Sequence, residues 1–378
     1  MTSTSWTPRR RLLTAVACGI PDRVPICTYE LAGYNSAAWE NNDASYARLM
    51  ARIRQDGDCT TMWDPASTAT FLATAHSLPI DRRTCRTGSH TRTTSVIRTP
   101  KGPLSQITEQ DDAVHTTWIT EPWCKSIDDV DKALSIPYVP AAYDVCDLPR
   151  LQKEVADRGI IMATLADPAL TAAELMSFEE FTVWAFEHPE HFARTTAILA
   201  ERIMENLRRQ LDACGVDLYR IVGPEYFTPP YLSPERFKRM VVPHVSAMAD
   251  YVHSRGGKVR VHCHGKIARV LDLIFETHPD GIDPCEPPPD GDLDLNEVKR
   301  RCGEHNVSVW GNTELRVLEN GSPTEIREAV KRSMEQAKEG GGYILMPTAS
   351  PIDVPLSAKT EGNYYAWLDA GLEFGGYG

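Results

Sequence analysis

Lys258-Val259-Arg260-Val261-His262-Cys263-His264-Gly265 decides the fold. Side chains alternate across a strand, so Val259, Val261 and Cys263 share one face while Arg260, His262 and His264 share the other. Just beyond, Ile267, Val270, Leu271, Ile274 and Phe275 repeat at i, i+3, i+4, i+7 and i+8, which is one apolar face of a helix. Residues 281–285 then read as the next strand, ending at Glu286. The apolar strand face must meet such helices, which leaves an arginine and two imidazoles on the face where chemistry can occur.

The same unit recurs along the chain. Residues 23–29 end at Glu30, 58–63 at Asp64 and 160–166 at Asp167. Residues 217–222 lead to Glu225, 307–310 to Asn312, and 343–346 to Thr348 and Ser350. Helices are predicted between them. One runs from Pro189 to about Cys214, one opens at Ser233-Pro234-Glu235 with a kink at Pro243, and Ser322-Pro323-Thr324-Glu325 is a capping box. Eight strand–helix alternations predict a single α/β domain, a (β/α)8 TIM barrel over residues 1–378. An open doubly wound sheet is the alternative, but no G-x-G-x-x-G or G-x-x-x-x-G-K-[ST] follows a strand. Residues 85–140 break the repeat. Thr, Arg and Ser alternate there with Gly and Pro, and Lys101-Gly102-Pro103 reads as a turn. This predicts an inserted β-hairpin excursion over the barrel mouth, between strands two and three.

Composition narrows the function classes. Among 378 residues, 40 basic face 52 acidic side chains, a net charge of −12 that argues against nucleic acid as a partner. No apolar run is long enough to span a bilayer. The polar start, Met1 to Arg11, and the short apolar run after it do not make a signal peptide. The ten cysteines contain no C-x-x-C pair, which removes zinc-finger and thioredoxin spacings and leaves reduced thiols of the cytoplasm as the expectation.

In a barrel the C-terminal strand ends build the site. The candidates are therefore Glu30, Asp64, Asp167, Glu225, His262, His264, Glu286 and Asn312. So acidic a mouth invites a cation, either a metal or a charged substrate. His262 and His264 have Cα atoms about 6.5 Å apart on one strand face, near enough to share a metal. Two hydrogen-bonded histidines that orient a substrate without metal are the other reading. Glu225 or Glu286 could complete a His/carboxylate metal site, and Glu286 could instead accept from Arg260 or a backbone amide. Tyr29, Tyr34, Trp63, Tyr226, Phe227 and Tyr231 either wall a pocket for a flat substrate or belong to the core.

One set of motifs is Arg11-Leu12-Leu13-Thr14-Ala15, Pro21-Asp22-Arg23-Val24-Pro25 and Thr99-Pro100-Lys101-Gly102-Pro103-Leu104. A second is Gly223-Pro224-Glu225-Tyr226, His262-Cys263-His264-Gly265, Gly311-Asn312 and Gly341-Gly342-Tyr343-Ile344-Leu345. In these stretches the chain resembles the uroporphyrinogen decarboxylase-like superfamily, and the resemblance covers nearly the whole chain. It implies the barrel, and either a decarboxylase or a corrinoid-dependent methyltransferase. True decarboxylases carry an arginine-rich segment after the first strand, where this chain has Ile26-Cys27-Thr28-Tyr29-Glu30. An acidic Glu30 there is expected to repel a porphyrinogen. The thiol-methylating relatives hold zinc through H-x-C and a later cysteine. Here His264 replaces the first thiolate, and Pro347-Thr348-Ala349-Ser350 lacks the second.

These departures point to the O-demethylase type. The resemblance implies transfer of a methyl group from a small methoxylated methyl donor, an aromatic one being among the candidates, to a corrinoid (cobalamin) carried by a partner protein. Zinc on His262, His264, Glu225 and Glu286, or an acid, would activate the leaving oxygen. Glu225, Tyr226, His262, His264 and Asp167 are the expected catalytic residues, and Glu30, Tyr29, Tyr34, Trp63 and Asn312 the substrate-binding ones. Relatives suggest a homodimer. The rival is a metal-free decarboxylase or lyase of a small carboxylate, with Arg260 as its cationic group.

Overall fold

Alternation of apolar and polar residues along short β-branched runs produces a curled parallel sheet flanked by helices in the computed structural model, which describes residues 5–377. The first strand of this sheet is β1 (Cys59–Met62). The chain then forms a separate antiparallel sheet of β2 (Ile80–Thr87), β3 (His90–Thr99), β4 (Gly102–Asp111) and β5 (Trp118–Glu121). The parallel sheet resumes with β6 (Gly159–Ala166), β7 (Leu218–Val222) and β8 (Lys258–His262). It ends with β9 (Gly281–Asp283), β10 (Ser308–Thr313) and β11 (Tyr343–Pro347), and its seven strands pair in sequence order.

The period of two sorts the core into layers. Ile160, Met162, Leu218, Trp310, Ile344 and Met346 fill the inside of the curl, where the helix Pro8–Val16 adds Leu12, Ala15 and Val16. Leu165, Ile221, Val259, Val261, Ile282 and Val309 lie on the outer face and join the large cluster formed with the helices.

The run 23–29 does not form the strand expected of it. It makes one parallel bridge, Ile26 to Leu345, with Cys27 N–H donating to Leu345 O and Leu345 N–H to Pro25 O. Pro25 has no N–H to give, and Ile26 N–H goes to the Asp58 carboxylate at 2.9 Å instead of a strand carbonyl. On its other side the run meets β1 through Asp58 N–H to Ile26 O. Asp58 is fully buried and also takes Arg11 at 2.5 Å and Arg23 at 2.7 Å, while Arg11 reaches Asp22 at 2.6 Å. The Arg11, Asp22 and Arg23 motif thus fastens the N-terminal helix to the sheet. Arg23→Gln should cost about 1.5–3 kcal/mol in urea unfolding, since Arg11 still neutralises Asp58. A loss near zero would show that this bond is dispensable.

Helices follow local signals. Pro189–Ala213 matches its expectation, Pro323–Ala337 carries the Ser322–Glu325 capping box, and the chain breaks at Val241 ahead of Pro243 between Pro234–Met240 and Val242–Ser254. The stripe starting at Ile267 gives a helix only over Leu271–Phe275. Gly265 has φ +87, and Ala268 N–H donates to Asp292 Oδ1 rather than to a helical carbonyl, so the early stripe residues are buried in turns. The loop between β4 and β5 rests on the loop after β11 through His115 N–H to Ile352 O and Val354 N–H to Ala113 O, with His115 stacked 4.2 Å from Trp39. Among the described residues no helix is long and apolar enough to cross a membrane. Met1 to Thr4, the beginning of the polar start, lie outside the described residues.

Candidate active site

Register brings the polar groups together. In the β7–β8 pair Arg220 stands opposite Arg260, and in the β8–β9 pair His262 stands opposite Asp283. His262 Nδ1 hydrogen-bonds Asp283 Oδ2 at 2.8 Å. Burial pushes the His262 imidazole down to about 3, more than the Asp283 carboxylate restores, so it is neutral at ordinary pH. Arg260 Nε lies 3.0 Å from Asp283 Oδ1, and its guanidinium stacks 4.6 Å from the Trp310 ring centre. Burial opposes the charge on Asp283, yet Arg260, His262 and Arg220 together hold its carboxyl well below the usual range.

His264 stands at right angles to His262, ring centres 4.4 Å apart. Its Nδ1 hydrogen-bonds Glu286, whose other oxygen accepts from Gly265 N–H at 2.8 Å. Burial works against the imidazolium, but the Glu286 hydrogen bond and charge, with Asp283 and Glu225, raise the His264 pKa overall. His264 is thus the readily protonated imidazole of the pair. It lines a cleft of about 380 Å³ with Glu225, Tyr226, Phe178, Tyr231 and Glu286. Phe178 lies 5.8 Å from Tyr226 and 4.6 Å from Tyr231, ring centre to ring centre, so aromatic edges and faces wall one side.

Glu225 follows β7 on a short turn and turns Oε2 back to Gly223 N–H at 2.9 Å. Burial raises its pKa. Gly223 has φ +128, and a Cβ there would fall 1.9 Å from Asp167 Oδ1, so only glycine lets Asp167 and Glu225 share this corner. Asp167 caps the helix Pro168–Ala173, Oδ1 accepting from Leu170 N–H at 2.7 Å. Its Oδ2 is buried without a partner, and burial, with Glu225 adding, drives its pKa well up.

Three expected substrate contacts lie elsewhere. Tyr34 gives its hydroxyl to Arg54 O and takes Arg158 on its ring 4.3 Å away, outside the sheet. Trp63 packs with Leu148, Leu151 and Ile161 and donates to Asp147 at 3.1 Å, because its strand phase points to the helices. Asn312 Oδ1 accepts from Ser333 Oγ at 3.2 Å on the helix Pro323–Ala337, again the outer side. Tyr29 is buried inside the curl, and Glu30, far from being a free repulsive charge, is paired with Arg220 at 2.7 Å.

The donor set proposed for zinc does not converge. Both oxygens of Glu286 are used by His264 and Gly265, and one oxygen of Glu225 is turned back to Gly223. Among the described residues no three His, Cys, Asp or Glu side chains are grouped to hold a metal ion. Glu286 orients His264 as a carboxylate orients a catalytic imidazole.

The profile described as "Uroporphyrinogen decarboxylase (URO-D)" matches residues 113–357. The chain belongs to the URO-D family. That span holds Asp167, Glu225, His262, His264 and Glu286 of this URO-D chain and leaves Tyr29 and Glu30 outside it. Among solved structures, a methyltransferase from Methanosarcina mazei is 18% identical, with TM-score 0.63, covering 98% of this chain and 99% of its own. A D-psicose 3-epimerase is 11% identical, with TM-score 0.36, covering 60% and 82%. No curated protein matches the sequence.

Two site residues of this URO-D chain escaped the sequence reading. Asp283 stands in the inward phase opposite His262. Arg220 lies two residues before the end of β7, in the same phase as Leu218 and Val222. The alternation Leu218, Arg220, Val222 was the available signal.

Proposed function

We propose that this URO-D family chain is a methyltransferase. It takes a methyl group from a small methoxylated substrate at the mouth of a (β/α)8 barrel and delivers it to a corrinoid on a partner protein. One observation carries the reading: His264, raised toward its protonated form by Glu286, opens on an aromatic-walled cleft. The full-length likeness in fold to a protein described as a methyltransferase supports it.

An unactivated ether is a poor leaving group, and an acid at its oxygen answers that difficulty. As the methyl carbon–oxygen bond breaks, its electron pair stays on oxygen and the His264 Nε2 proton moves there, giving the free alcohol or phenol. Glu286 holds Nδ1 and balances the imidazolium before the transfer. Phe178, Tyr226 and Tyr231 hold the flat body of the substrate and keep water from the leaving oxygen. Neutral His262, fixed by Asp283, packs edge-on to His264 and keeps its ring in place. The corrinoid, when docked, supplies the nucleophile that accepts the methyl group.

The test is demethylation of a panel of methoxylated aromatic and aliphatic compounds with a reduced corrinoid protein, followed by product chromatography. Loss of the methoxy group is expected, and it should survive treatment with EDTA. No demethylation with a competent corrinoid protein would overturn the reading, and activity lost to EDTA and restored by zinc would overturn the acid mechanism. Arg220, a second buried cation, favours one alternative, decarboxylation of a small carboxylate. Carbon dioxide release without demethylation would select it.

A further inference from the structure

Arg220 and Arg260 face each other across β7 and β8, but they are neutralised in different ways. Arg260 is 1% exposed and held by Asp283, itself buried. Arg220 is 4% exposed, yet the carboxylate on its Nη1 belongs to Glu30, whose side chain is 44% exposed. Nη2 donates to the Tyr29 hydroxyl at 2.6 Å, the guanidinium lies 4.9 Å from the Tyr29 ring centre, and the buried Nε has no hydrogen-bond partner. A cation this deep needs an anion beside it. An exposed glutamate gains little from such a pair, so another carboxylate can replace it at small cost. The Glu30 backbone is anchored, its N–H donating to Ser350 Oγ at 3.1 Å, so the exchange needs only side-chain rotation.

Neighbouring rings connect this cation to the acid. Tyr29 lies 6.1 Å from His262, and His262 lies 4.4 Å from His264, centre to centre. We propose that Arg220 is the anion-binding residue of the site and that Glu30 is a resident carboxylate which the substrate's own carboxylate displaces. The substrate is then a small carboxylate, which under the methyltransferase reading is a methoxylated acid rather than a neutral ether. The inference rests on reading the mouth as the active site, and not on which reaction occurs there.

Binding tests it without turnover. The probes are benzoate and its neutral counterpart benzamide, titrated by calorimetry against the wild-type protein, Glu30→Gln and Arg220→Lys. Glu30→Gln, at an exposed side chain, should bind benzoate about 3- to 10-fold more tightly with benzamide unchanged. Arg220→Lys keeps the charge but loses the forked donor, and it should bind benzoate more weakly with benzamide binding unchanged. Benzoate affinity that is unchanged or weakened in Glu30→Gln would overturn the proposal. If benzoate binding obeys these expectations while no methoxylated compound is demethylated, the methyltransferase reading fails and this one stands.

Discussion

His264→Gln is expected to lower demethylation by about 10²- to 10⁴-fold, the range for loss of a positioned general acid, with KM changed far less. Glutamine can still accept or donate a hydrogen bond in the cleft, but it has no proton to give to a departing oxygen. The pH profile supplies a second measurement. The His264 pKa is raised above its ordinary 6.5, so the acid form persists past that pH and activity falls as pH rises through the raised value. Glu286→Gln removes the carboxylate on Nδ1, so the alkaline limb of kcat should move to lower pH while the ring stays hydrogen-bonded. The same sign holds for stability, where a raised imidazole pKa stabilises the fold below 6.5 and loses that contribution as pH rises. An alkaline limb that does not move in Glu286→Gln would assign the titration to another group, and a His264→Gln variant within threefold of wild type would end the acid mechanism.

The strand pattern was readable because the chain repeats one solution to one problem. Val259 and Val261 must face helices, so Arg260 and His262 must face inward, and the parallel sheet follows. Other features depend on partners far away in sequence. The run 23–29 has strand composition, but the side chain of Asp58 claims the amide of Ile26, a contact no local pattern announces. Strand ends bring His262, His264, Glu225 and Glu286 near one another, whereas Trp63 takes the opposite phase and Asn312, although two residues past the inward Trp310, turns its amide to Ser333 on the outer side. Glu30 alone is only a charge in the sequence, because its partner Arg220 lies 190 positions away. A charge at a barrel mouth is defined by its counter-ion, and register supplies the counter-ion.

Asp283→Ala should destabilise the protein by about 3–5 kcal/mol, the cost of leaving a buried charge unpaired. The Asp283 side chain is 0% exposed and Arg260's is 1% exposed, so water cannot replace the lost carboxylate without opening the sheet. Beyond Asp283, Arg260 has the Met346 sulfur at 3.7 Å and the Trp310 face, neither of which balances a full charge. Asp283→Asn keeps a partner for His262 Nδ1 and still strands Arg260, so it should lose nearly as much, which identifies the charge rather than the hydrogen bond as the cause. Acid should act on the wild type in two stages. His262 is held at about 3 against an ordinary 6.5, so between those values the unfolded chain takes up a proton that the folded one refuses, and stability falls as pH drops below 6.5. Asp283 is held below its ordinary value, so its contribution is present above about pH 4 and is lost as pH falls further. Urea unfolding at pH 8, 6 and 4 reads the first stage, and extending the series below pH 4 reads the second. Asp283→Asn should give a smaller loss below pH 4 than wild type, because the group that titrates there is gone. A variant less than about 1 kcal/mol weaker than wild type at pH 8 would show that Arg260 has found another anion, and the paired-charge account of this interior would then fall.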